Sequence, residues 1–280
     1  MMWSRRWILN YLMFVLIIVF TWIGMRYPGD NDQHKPANQL TSISPAEVSR
    51  IRIETADATI ELGREKNRWM VIQPIDWFAH NIAAERIASL ASAEYQSRLP
   101  SDQIDLATLG LTLPKAVVTL NSQVVSFGAT NQIGNRRYLA TNSEVFLVSD
   151  LHFPLINTGL AGLVDKRLLP PGLEVTRLEL PELDLALGLD GWAADRADAN
   201  REQLAQLVNR WQRSEASSIS PYQSSVTPLF GVGALTNQGP VDFYVLSIEP
   251  EIVIARPDLG LQYHFPDHLY YDLLALPPGD

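Results

Sequence analysis

The sequence predicts an α+β fold: an N-terminal transmembrane helix followed by two similar halves, each an antiparallel sheet with a helix. Three observations carry that prediction. An uncharged, mostly apolar run occupies residues 7–25, one order of elements recurs across residues 40–280, and short segments alternate apolar and polar side chains with period two.

The apolar run comes first. As a helix it reaches roughly 28 Å, enough to cross the hydrocarbon core of a bilayer. Arg5 and Arg6 precede it and only Arg26 follows closely, so the positive-inside rule keeps the N-terminus cytoplasmic. Trp3, Trp7, Tyr11, Trp22 and Tyr27 fall near its two ends, where interfacial aromatics belong. Gly24-Met25-Arg26-Tyr27-Pro28 lacks a small-x-small cleavage pattern, and without cysteine there is no lipoprotein processing. Ser4-Arg5-Arg6-Trp7 resembles a twin-arginine export signal, but two anchoring arginines beside a greasy helix explain the same residues. The expectation is an uncleaved anchor over residues 1–26, then a polar tether over 27–39 that contains His34.

Two repeats are expected after the tether, over residues 40–169 and 170–280, divided near Pro170-Pro171-Gly172. Val48-Ser49-Arg50-Ile51-Arg52-Ile53 returns as Val175-Thr176-Arg177-Leu178-Glu179-Leu180. Alternating segments follow at Ala58 to Leu62 and Leu183 to Leu187, then Trp69 and Trp192, then a helical stretch in each half. Val117 to Leu120 is matched with Phe243 to Leu246, and Tyr138 before Val145-Phe146-Leu147 with Tyr263 before Leu269-Tyr270-Tyr271. Ile51/Ile53, Ile60/Leu62 and Met70/Ile72 are read as the buried faces of three hairpin strands. Leu204, Leu207, Val208 and Trp211 recur at helical spacing behind Asn200, with Gln203 three residues on. The first-half helix is placed at residues 83–95 after Asn81, and a third at 155–163. Residues 214–240, rich in serine, proline and glycine, are read as a long loop.

Composition narrows the function. The chain carries 22 basic and 31 acidic side chains; without the three arginines of the first 26 residues, 19 basic side chains face 31 acidic ones, a net −12. That balance argues against nucleic acid and against adhesion to anionic lipid. With no cysteine there are no disulfides, which fits a bacterial periplasm better than a eukaryotic ectodomain.

Ile43-Ser44-Pro45-Ala46-Glu47-Val48 before Ile51-Arg52-Ile53, and Arg68-Trp69-Met70-Val71 with Pro74, form one set of recognisable motifs. Leu109-Gly110-Leu111-Thr112-Leu113-Pro114, Gly134-Asn135-Arg136-Arg137-Tyr138-Leu139 and Val145-Phe146-Leu147-Val148 continue it. On these motifs the chain resembles the bacterial DUF4340 domain family, well over residues 40–215 and weakly beyond. None of the motifs is catalytic. The resemblance implies an envelope protein linked with ABC-type transporters of the kind associated with gliding motility, and no established activity.

Candidate sites compete with plainer readings. His264-Phe265-Pro266-Asp267-His268 holds two histidines and an acid, but Pro266 interrupts the helix that zinc ligands four residues apart require, so a turn between strands is expected. His80 and His152 are isolated and read as structural or surface residues. No serine sits in a Gly-x-Ser-x-Gly elbow, and Asp57/Glu61 and Glu179/Glu182 pair no more than chance allows. The glycines between Phe127 and Gly134 lack the lysine and helix of a phosphate loop and suit a hairpin connection. Arg136 and Arg137 point to opposite faces of a strand, so at most one joins any polar site. Trp77-Phe78 lies in a connection the second half lacks, and reads either as a partner surface or as packing against the helix.

No catalytic residue, metal or cofactor is therefore expected; Trp77, Phe78, Arg136 and Arg137 are the possible partner contacts. The leading expectation is a non-catalytic, periplasm-facing accessory of an inner-membrane complex, such as an ABC-type permease, held to the bilayer by residues 7–25. The alternative is a periplasmic binding module for an envelope polymer or small ligand. An unrecognised hydrolase is the remaining option.

Overall fold

A computed structural model of the chain describes residues 38–195 and 200–276. The expected anchor at 7–25 and nearly all of the tether at 27–39 lie outside the described residues. Among those described, no helix is long and apolar enough to cross a membrane.

Two antiparallel sheets dominate, with few helices, so the balance is more β than an even α+β mixture. The first sheet contains β1 (Arg50–Thr55), β2 (Thr59–Glu65), β3 (Arg68–Gln73), β4 (Trp77–Phe78), β5 (Tyr95–Pro100), β6 (Ala116–Leu120), β7 (Gln123–Asn131), β8 (Arg136–Ala140) and β9 (Glu144–Ser149). Its spatial order is 4-3-2-1-6-7-8-9-5. The second contains β10 (Val175–Leu180), β11 (Leu183–Gly188), β12 (Gly191–Ala194), β13 (Ser218–Pro221), β14 (Phe230–Thr236), β15 (Gly239–Ser247), β16 (Glu251–Arg256) and β17 (Leu261–Pro266). Its order is 12-11-10-14-15-16-17-13. With the short β4 set aside, the two orders correspond strand for strand. Each half makes three hairpin-linked strands, then a helix, then a strand that crosses to the far edge, then four more that fill the gap. Helix α1 (Asn81–Ala88) and helix α2 (Arg201–Arg213) hold the equivalent places.

This correspondence corrects two of the expected matches. Val117 to Leu120 lies in β6, whose counterpart is β14, not the β15 that holds Phe243 to Leu246. Tyr138 lies in β8, whose counterpart is β16, whereas Tyr263 lies in β17 and Leu269 to Tyr271 are helical. Both matches slipped by one hairpin strand, because alternating β segments resemble their neighbours as much as their equivalents.

Alternation sets the buried faces. Ile51 and Ile53 of β1, Ile60 and Leu62 of β2, and Val118 and Leu120 of β6 are almost wholly buried. On β3 the core face is Trp69/Val71, not Met70/Ile72; Ile72 is 40% exposed. Val71 pairs with Leu62 after a register shift between Glu61 and Leu62, and that bulge decides which parity of β3 faces inward.

Helix α2 forms as its pattern predicts. Asn200 Oδ1 accepts from the Glu202 and Gln203 N–H groups, Gln203 reaches back to the Asn200 N–H, and Leu204, Leu207, Val208 and Trp211 are buried. Burial of Leu204, Leu207 and Val208 contributes about 1.5–3 kcal/mol each, against about 1 kcal/mol for the cap, so packing decides the helix and the cap decides where it starts. Helix α1 ends earlier than the expected residue 95, with a 3-10 turn Ser89–Ser92 and then β5. Asn81 is its first residue and not its cap; the side chain instead accepts the Trp69 N–H at 2.8 Å. The expected helix at 155–163 is two turns, Phe153–Ile156 and Gly159–Leu163, broken where Gly159 takes φ +63°. The expected loop at 214–240 holds β13 and β14, and Ser218 and Ser220 share one face of the edge strand β13.

The main apolar core draws on both halves, from Ile51, Val118 and Phe127 through Leu168 and Leu169 to Leu178, Phe243, Ile254 and Phe265, and a small second cluster of Leu246, Val253 and Ala255 lies apart from it. Residues 164–168 stitch the halves together: Ala79 bridges Val164, and Arg167 bridges Glu215.

Candidate functional site

Three of the four expected contact residues lie inside the fold. Trp77 is 8% exposed and Phe78 6%. The Arg256 guanidinium lies 4.3 Å from the Trp77 ring, and that of Arg68 lies 4.9 Å from Phe78. The Phe78 carbonyl accepts the Asp165 N–H. β4 therefore plugs the seam between halves, and an exposed aromatic anchor is ruled out there: these rings bury large apolar areas that the seam needs. Arg137 is likewise buried. Its Nε and Nη2 bond both Asp150 oxygens at 2.9 and 2.7 Å, Nη1 bonds the Gly128 carbonyl at 2.7 Å, and the cation lies 3.7 Å from the Phe153 ring. Arg136 takes the opposite face, half-buried, as alternation requires.

The histidines scatter. His80 precedes α1 without a side-chain capping bond. His152 lies 3.2 Å from the Ser89 hydroxyl, and burial, with Arg86 nearby, pushes its imidazole below the ordinary value. His268 is exposed in the 3-10 turn Asp267–Leu269. His264 lies in β17, not in a turn, so the two are not brought together. Among the described residues no group of three or more His, Asp or Glu could hold a metal. The acid pairs resolve as ion pairs, Glu61 with Arg52 and Glu179 with Arg177.

A cluster that the sequence did not reveal lies on the outer face of the second sheet. β13, β17 and β16 are adjacent, and His264 of β17 is opposite Ser218 of β13 and Val253 of β16. Ser220 and Glu251, each two residues away, are its diagonal neighbours on the same face. The Ser220 Oγ lies 2.8 Å from His264 Nε2, and His264 Nδ1 lies 2.8 Å from Glu251 Oε1.

The tautomer follows from the network. Gln262 Oε1 accepts the Gln223 N–H at 3.1 Å, which turns the Gln262 Nε2 donor toward His264 Nε2 at 3.3 Å. A donor facing Nε2 requires a lone pair there, so the proton of the neutral ring sits on Nδ1 and points at Glu251. Ser220 then donates to Nε2. Alongside runs a groove of about 300 Å³, lined by Val226, Leu246, Pro250 and Val253 together with Glu251, Gln262 and His264; Ser220 sits beyond its lining, on the far side of His264 Nε2. On the core side of the same strand, burial pushes the Tyr263 phenol up and keeps it neutral. The only signals in the sequence were the alternation of Ser218-Ile219-Ser220 and of Gln262-Tyr263-His264; nothing tied those segments to Glu251.

These features define a two-sheet, mostly β protein with matching halves, a plugged seam and a polar cluster on one outer face. The chain belongs to the DUF4340 family, a domain of unknown function, whose family model matches residues 74–230. The match begins after β3, crosses the boundary between halves and ends at the start of β14; Ser220 lies within it, and Glu251 and His264 lie beyond it. No match was found among curated proteins or among solved structures.

Proposed function

We propose that this protein is a membrane-tethered, periplasm-facing accessory that docks onto an inner-membrane complex of the ABC-type transporter class. One observation carries the docking surface. On the outer face of the first sheet, Leu99 is 50% and Val124 38% exposed, with half-buried Tyr138, Ala140 and Leu147 on the strands between. An apolar sheet face of this kind suits a protein partner better than open water. The apolar run 7–25 and the tether 27–39 support the location, because a tether of roughly a dozen residues holds the domain within tens of ångströms of the bilayer. That confinement raises the effective concentration of a membrane partner, so a modest interface is enough.

Two measurements test the proposal. Fractionation should leave the full-length chain in the inner membrane, with its C-terminal part open to protease in spheroplasts; a shortened, released product would refute the anchor. Crosslinked pull-down should recover an inner-membrane protein, and Leu99→Glu with Val124→Glu should reduce recovery about tenfold or more without changing the thermal melt. Undiminished recovery would remove the first sheet's outer face as the contact. A second reading, a module that binds a small envelope ligand, is favoured by the groove beside His264.

A further inference from the structure

The outer face of the second sheet holds chemistry that docking does not use. We propose that Ser220 is a nucleophile toward small carboxylic esters, with His264 as its general base and Glu251 as the residue that positions the imidazole.

Three features of the geometry combine. The relay is continuous, from Ser220 Oγ through His264 to Glu251, with both contacts at 2.8 Å. Such a relay is recognised by geometry and roles, and it needs no particular order in the chain. The tautomer is the productive one: with the ring proton on Nδ1, the single Nε2 lone pair faces the Ser220 hydroxyl at 2.8 Å, closer than the Gln262 amide that shares it at 3.3 Å. The serine is also reachable. β13 is the edge strand of its sheet, Ser220 is half-buried, and the groove lined by its partner His264 offers Val226, Leu246, Pro250 and Val253 to the hydrocarbon part of an acyl group. Gln262 lies opposite Ser220 across the β13–β17 pair, and its amide carries a second N–H, the donor assigned here to the developing oxyanion.

The chemistry balances with water as the only co-reactant. Ser220 Oγ bonds to the ester carbonyl carbon while its proton passes to His264 Nε2. The carbon–oxygen bond to the leaving alcohol breaks, and the alkoxide takes that proton. Water, deprotonated by the same nitrogen, then attacks the acyl-serine, releases the carboxylic acid and restores the hydroxyl. Glu251 stays ionised throughout and stabilises the transient imidazolium.

The competing account is a staple: the same contacts pin an edge strand to its sheet without any chemistry. The full-length chain, in detergent, is treated with a fluorescent alkyl fluorophosphonate, and turnover of p-nitrophenyl acetate is followed in parallel. The wild-type protein should take up the probe, and peptide mass spectrometry should place the adduct on Ser220. Ser220→Ala should abolish labelling and His264→Ala should slow it about a hundredfold or more. Glu251→Gln should slow it as well, while Glu251→Asp, which keeps the charge, should restore part of the rate. An unlabelled Ser220 in the wild-type chain would overturn the proposal, and that result does not depend on any variant folding. Equal labelling of His264→Ala, with its thermal melt unchanged, would overturn it too. Recovery of a membrane partner should be the same with Ser220→Ala, so docking and ester chemistry fail or survive separately.

Discussion

His152 sits against the Ser89 hydroxyl at 3.2 Å, with burial and the Arg86 charge disfavouring its protonated form and Asp150 only partly offsetting them. Its folded-state value therefore lies below the ordinary 6.5 that the unfolded chain retains. As pH falls through about 6.5, the unfolded state takes up the proton first, so stability is full above that point and declines below it. Denaturant midpoints measured between pH 7.5 and 5.5 should fall, and His152→Gln should flatten the slope; an unchanged slope would remove His152 as its source. Among single residues, the opposite facing of Arg136 and Arg137 was legible from alternation alone. The identity of Arg137's partner was not, because Asp150 reaches it across the β8–β9 hairpin and Gly128 across a bulged pairing. Ser220, Glu251 and His264 were least legible. Their meeting depends on the register of three strands, and a shift of one residue would turn each side chain into the core.

At the level of elements, local signals were readable where one segment contains its whole cause. Helix α2 carries its own cap, its own apolar stripe and its own length, and all three agree. Asn200→Ala removes the acceptor for the Glu202 and Gln203 N–H groups and should cost about 1 kcal/mol. The shift in denaturant midpoint should measure that loss, while Asn200→Asp, which keeps an oxygen there, should stay near wild type. A loss of the same size in Asn200→Asp would show that the cap is not the cause. β3 was misread because its facing depends on the bulge at Glu61/Leu62 in its partner strand. β13 was misread because four residues among serines carry too little hydrophobic contrast to announce a strand. What fixes it is pairing with β17, along which Ser218 meets His264 and Pro221 meets Leu261.

Across the whole molecule, two sheets of matching strand order meet at a seam filled from both sides. β4 has no counterpart in the second half, and it is the first half's contribution. Trp77 lies against Arg256 of β16, whose Nη2 pairs with Asp258 and whose Nη1 reaches the Leu168 carbonyl at 3.4 Å. Phe78 stands edge-on to Trp77 at 5.3 Å and faces Arg68, whose guanidinium bonds the Pro171 carbonyl. The order of the two halves was legible as a recurrence in the sequence; the plug was not, because an insertion in one half has no equivalent to be compared with. The apolar core is continuous across this seam, so neither half is complete without the other and the unit should unfold in one step. Trp77→Ala opens a cavity at the joint and takes away the nearer of the two rings beside the Arg256 cation, leaving Phe243 at 5.2 Å, a loss of about 3–5 kcal/mol. If the seam is a true part of the core, that loss should lower one common transition, seen equally by a first-half probe at Trp69 and a second-half probe at Trp211. Two transitions in the wild-type protein, with only one moved by Trp77→Ala, would mean that the halves fold separately and the seam is merely a contact between them.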